Sequence, residues 1–122
     1  MEWKVMAKRD MSTVYIGKKE MLYYVLATVM NLNSDLAEAI IKARGNSIGL
    51  AVDVAEVVRR KYVRNATIND VKIGTELLDS HRGGKAPVSF IEIHMTRPAG
   101  DAPAAPLPAE EPARPHHAPK AP

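Results

Sequence analysis

Two short basic segments hold the residue types best suited to chemistry: Gly17-Lys18-Lys19 and Lys42-Ala43-Arg44-Gly45-Asn46-Ser47. Each stands where an apolar strand pattern gives way to a helical one. The first N–H groups of a helix lack intrahelical acceptors and carry partial positive charge, so a lysine or arginine beside them makes a place for an anion. Two such places on one small chain suit a polyanion. A third basic pair, Arg82 and Lys85, flanks Gly83-Gly84.

Other chemistry finds little support. His81, His94, His116 and His117 have no accompanying ligand pair at zinc-type spacing. With no cysteine in the chain, disulfides and thiolate metal sites are excluded. There is no nucleophile elbow, no phosphate loop of the GxxxxGK(S/T) type and no pair of carboxylates placed in a cleft. The sequence therefore predicts no enzyme, no cofactor and no metal.

Hydropathy periods supply the elements that must position the cations. Ser12 to Ile16 reads as a strand with Val14 and Ile16 on one face, and Glu20 to Asn33 as a helix with apolar residues at 22, 25, 26, 29 and 32. Met21, Tyr24 and Thr28 give that helix a second weakly polar face, as for a helix covered on two sides. Ala37 to Ala43 reads as a buried strand. Asn46 or Ser47 then caps a second helix to about Tyr62, its stripe being Ile48, Ala51, Val52, Ala55, Val58 and Tyr62. Glu56 and Arg60 stand four apart on its other side, a supporting pair. Thr67 to Leu78 alternates through Val71, Ile73, Thr75 and Leu77, and Val88 to Thr96 through Ser89, Ile91, Ile93 and Met95. Gly83-Gly84 turns one into the other.

The order is β-α-β-α-β-β. Right-handed crossovers leave the first three strands parallel, with their carboxyl ends on one sheet edge. Lys18 and Lys19, Arg44, and the Arg82/Lys85 turn follow those three ends. A strand of about twelve residues extends about 40 Å, longer than a domain of this size, so the last hairpin should project as a basic arm.

Of 122 residues, Pro98 to Pro122 hold eight of nine prolines and eight alanines, a composition expected to stay disordered. Residues 1–11 read as a loose arm. Asp101, Glu110 and Glu111 against Arg114 and Lys120 leave the tail at −1, so residues 1–97 carry +4 of the net +3. No apolar run approaches the roughly 18 residues that span a bilayer, and the N-terminus lacks a secretory signal's apolar stretch, which predicts a soluble cytoplasmic protein without a membrane partner.

Ile16-Gly17-Lys18-Lys19, Ile41-Lys42-Ala43-Arg44-Gly45, Ala51-Val52-Asp53 and Ile91-Glu92-Ile93, in this order and spacing, resemble the Alba family of small archaeal chromatin and RNA-binding proteins. The similarity runs from about Ser12 to Arg97. It implies a two-layer α/β (α+β) fold of two helices on a four-stranded mixed sheet, order 1-2-4-3, only the last strand antiparallel. It also implies a homodimer, or a heterodimer with an Alba-like paralogue, that binds double-stranded DNA and RNA without sequence specificity and coats and compacts DNA in the nucleoid. An RNA-binding subunit of a ribonucleoprotein is the alternative.

On this resemblance the nucleic-acid-binding set is Lys18, Lys19, Lys42, Arg44, Asn46, Arg59, Lys61, Arg82 and Lys85. Lys18 occupies the position that relatives acetylate, which adds acetylating and deacetylating enzymes as partners, and Tyr62 an aromatic position through which neighbouring dimers stack. Asn46 and Leu50 stand where relatives can carry basic residues, and Glu20 directly follows the lysines. Five positions also have plain structural readings. Lys42 would block pairing of an edge strand, Arg59 to Lys61 would favour a helix C-terminus, and Tyr62 would close the core.

Overall fold

The computed structural model describes residues 12–98, so the arm expected at 1–11 and the tail expected to be disordered after Pro98 lie outside the described residues. The elements are β1 (Thr13–Tyr15), α1 (Met21–Leu32), β2 (Glu38–Arg44), α2 (Ile48–Val57), β3 (Thr67–Asp79) and β4 (Lys85–Thr96). A 3-10 turn, Gly45–Ser47, leads into α2, and a π turn, Val58–Tyr62, leads out. β1 pairs parallel with β2, and β4 lies antiparallel between β2 and β3. The sheet order is thus β1-β2-β4-β3, the implied topology with only the last strand reversed.

Strand side chains alternate between faces, so one face of this sheet is set by Val14, Ile16, Ala39, Ile41, Ala43, Ile91, Ile93 and Met95, all buried in a single core. α1 covers it with Tyr24, Val25, Thr28, Val29 and Leu32. Both expected faces of α1 are therefore buried at their centres. The Thr28 hydroxyl, fully enclosed, donates to the Tyr24 carbonyl one turn back at 2.8 Å, which meets its polar demand. At the far end Arg97 is buried and donates from Nε to the Leu32 carbonyl at 2.7 Å, satisfying an orphan acceptor at the α1 C-terminus and tying the end of β4 to it.

α2 departs from its sequence reading in three ways. Ala51, Val54, Ala55 and Val58 are its buried residues, whereas Val52 is exposed. Valine flanks the shared stripe on both sides, so hydropathy alone leaves open which flank turns inward, and packing against α1, β2 and β4 selects Val54. Neither Asn46 nor Ser47 caps it through a side chain. The 3-10 turn brings the chain in with Ser47 already helical, at φ −86°, where the extended geometry that aims a capping oxygen is lost. Finally the last turn widens, the Val63 N–H bonding the Val58 carbonyl at 2.8 Å.

β2 ends at Arg44, opposite Phe90, which is in turn opposite Gly74. β3 continues past that row for Thr75 to Asp79, about 17 Å of further strand. Gly83 and Gly84 close the hairpin at φ +95° and +74°, backbone that side-chain-bearing residues rarely adopt. Everything from His81 to Lys85 is exposed. The hairpin is an arm. Among the described residues no helix is long and apolar enough to cross a membrane.

The phase of α2 is testable in urea unfolding. Val54→Ala removes two fully enclosed methyl groups and should cost about 2 kcal/mol, and Val52→Ala less than half as much.

Candidate nucleic-acid interface

The lysine pair is held by a buried aromatic. The N–H groups of Gly17 and Lys19 both donate to the Tyr24 hydroxyl, at 2.8 and 2.9 Å, and Tyr24 is only 3% exposed. The loop is thereby drawn onto the core with Lys18 and Lys19 outside, both exposed. Lys19 Nζ stands 5.1 Å from the Tyr23 ring centroid, a cation–π distance. Among the described residues neither lysine has a carboxylate within 4.0 Å. The two N–H groups spent on Tyr24 precede Glu20, the N-cap of α1, so they are loop groups distinct from the N–H groups at the start of that helix.

The second step is differently compensated. Arg44 stretches over β4 to Glu76 of β3, Nε to Oε1 at 2.9 Å, and Lys42 lies 3.7 Å from Glu92. Lys42 Nζ is also 5.9 Å from the Tyr15 ring centroid. β2 is an interior strand, which rules out the edge-blocking reading of Lys42. Its charge is tolerated on the open sheet face by Glu92, its direct cross-strand neighbour. Asn46 is exposed in the turn that follows Arg44. Lys42 and Arg44 border an open groove of about 460 Å³ on the sheet's outer face, between Tyr15, Phe90, Glu76 and Glu92.

At the hairpin Lys85 pairs with Asp79 at 2.8 Å, and Arg82 is exposed with no acid in reach among the described residues. Arg59 grips Glu56 through Nε and Nη2, and Arg60 donates to the same carboxylate at 2.9 Å, the expected i,i+4 pair. Lys61 is exposed, and Tyr62 is half-buried against the core. Among the described residues no three acidic or histidine side chains are grouped to hold a metal.

The topology thus brings Lys18, Lys19, Arg44 and Asn46 to one sheet edge, with Lys42 one pleat behind and Arg82 and Lys85 on the arm projecting from the same edge. Arg59 and Lys61 do not join them. α2 runs away from that edge, carrying Lys61 about 20 Å along its axis. Sequence reasoning missed Tyr24, Glu76 and Glu92. Tyr24 showed only as part of a second helix face, and the two glutamates only as the outward half of an alternation.

The family model described as Alba matches residues 12–75. "DNA/RNA-binding protein Alba 1" of Archaeoglobus fulgidus is 44% identical over 86 residues, 70% of this chain and 96% of that protein. The chain belongs to the Alba family. "DNA/RNA-binding protein Alba" of Methanocella arvoryzae is 44% identical over 87 residues, covering 71% of this chain and 91% of that one. Among solved structures, Alba from Thermoplasma volcanium superposes with a TM-score of 0.63 at 42% identity, over 70% of this chain and 99% of that chain. ALBA1 from Trypanosoma brucei shares the fold at 21% identity, with a TM-score of 0.56 over 70% of this chain and 68% of its own.

Two outcomes are expected. Tyr24→Phe leaves the Gly17 and Lys19 N–H groups without their acceptor, so it should cost about 1–3 kcal/mol in urea unfolding and speed amide exchange at Gly17 and Lys19. The Arg60 and Arg59 guanidiniums hold the Glu56 carboxyl below its ordinary 4.5. A lowered folded value stabilises above the unfolded one and is lost as pH falls through the folded value. Glu56→Gln should thus cost under about 1 kcal/mol at neutral pH, with the gap to wild type closing on acidification below 4.5.

Proposed function

We propose that this Alba-family protein binds duplex DNA and structured RNA through their phosphates, without sequence specificity. The observation that carries this reading is the exposed Lys18-Lys19 pair, without a carboxylate partner among the described residues and fixed at the edge from which the basic arm projects. Ammonium groups on a loop reach the phosphate backbone and not base edges, so they position without reading sequence. Arg44 joins them by exchanging Glu76 for phosphate, an exchange that a surface ion pair worth under about 1 kcal/mol permits.

A homodimer doubles the site. Val71, Ile73 and Leu77 are 50%, 74% and 66% exposed, yet pair with β4 residues on the helix-covered face. Such an apolar strip beyond the helices' reach calls for a partner, and a second copy supplies a self-complementary one. Lys18, Lys19 and Arg44 of both copies then give six phosphate contacts. Coating and compaction of DNA in the nucleoid, contact between neighbouring dimers through Tyr62, and weakening by acetylation of Lys18, which removes a charge, belong to the same reading. Arg82, without an acid in reach among the described residues, serves as the arm's cation.

One observation favours a ribonucleoprotein role as second reading. Lys42, Arg44, Arg59 and Lys85 each carry their own carboxylate, so free charge is focused at a few points and does not run as a stripe along a duplex. Competition between duplex DNA and structured RNA at one salt concentration separates the two.

Six contacts predict a log–log salt slope near about −5 on B-DNA, and a slope flatter than about −2 would contradict the reading. Lys18→Glu/Lys19→Glu should abolish detectable gel shifts at physiological salt. Glu76→Gln frees Arg44 and should tighten binding by up to about fivefold. In sedimentation, Ile73→Asp should turn a dimer into a monomer.

A further inference from the structure

Duplex binding at the edge leaves the groove on the outer sheet face unused. Tyr15 is 68% exposed although it sits within a strand, and Phe90 is half-buried on the same face. The Phe90 ring lies across Gly74, where an added Cβ would come within 2.7 Å of it, so the strand gives up a side chain to let an aromatic lie flat on the sheet. Tyr15 and Lys42 are cross-strand neighbours, as are Arg44 and Phe90, which alternates cation and ring across the groove floor. Glu76 closes the groove beside Arg44, its buried Oε1 ion-paired with Arg44 Nε at 2.9 Å.

We propose that this groove seats an unpaired nucleobase, so that single-stranded RNA or DNA crosses the outer face while its phosphates meet Lys42 and Arg44. Aromatic rings on an open sheet stack bases of any sequence, and flanking cations track the backbone. Bases inside a duplex are already stacked and paired, so the groove distinguishes single from double strands, which the lysine edge does not. The inference rests on the nucleic-acid reading above and extends it from the edge onto the outer sheet face, the two sharing Arg44.

The test is fluorescence anisotropy at one salt concentration with three ligands: a blunt duplex, a mixed-sequence single-stranded RNA, and the same strand made abasic. Wild type should bind the intact strand about tenfold more tightly than the abasic one. Tyr15→Ala, at an exposed position, should weaken the intact strand about tenfold and leave the duplex and the abasic strand within twofold. Phe90→Leu should act in the same direction, and 5-iodouridine in the strand should photocrosslink to Tyr15 or Phe90. Equal binding of intact and abasic strands by wild type, or the same loss on every ligand in Tyr15→Ala, overturns the inference while leaving the proposed function standing. Failure of wild type to bind any of the three overturns both.

Discussion

The Tyr24 hydroxyl, accepting from the N–H groups of Gly17 and Lys19, is the interaction on which the rest of this surface depends. Its ring belongs to the core and its oxygen to the loop, so a helix position buried for packing also fixes where two charges point. The neighbouring Tyr23 ring meets Tyr24 edge-on, centroids 5.3 Å apart, and carries Lys19 above it. Core, loop and cation are therefore joined through two consecutive tyrosines of one helix. A loop without that acceptor would hold two lysines free to wander, and a charge whose position must be fixed on binding loses affinity to entropy.

Several other charges among the described residues are balanced locally. Lys42 and Glu92, Arg44 and Glu76, Lys85 and Asp79, and Arg59 with Glu56 are each close pairs. Individually they are weak and exchangeable. Collectively they keep the sheet face near neutrality while the Gly17–Lys19 loop keeps its full charge, which concentrates attraction for a polyanion at the edge. The same balance makes the outer face suitable for bases, which need rings and hydrogen-bond partners more than net charge.

Much of this was legible in the sequence because its causes are local. A short apolar run marked β2 as buried, alternation the buried face of β4, Gly83-Gly84 the hairpin, and the excess length of β3 its projection. The misread parts have causes at a distance. Choosing Val54 over Val52 needs the neighbours of α2. Glu76 and Glu92 as partners of Arg44 and Lys42 depend on strand register, and the interior place of Lys42 on a strand order that inserts β4 beside β2. Tyr24 lies seven residues from Gly17 and shows no polar signal until the loop folds back over it. Arg59 and Lys61 looked like members of one basic set, and only the direction of α2 separates them from the edge.

The central claim is that the polyanion lands on Lys18 and Lys19. Lysine-reactive footprinting of the full chain, read by mass spectrometry with and without duplex DNA, tests it most directly. The account predicts strong protection of Lys18 and Lys19, while Lys72, exposed on β3 opposite Glu92, reacts as before. Protection of Lys72 while Lys18 and Lys19 stay fully reactive would contradict it.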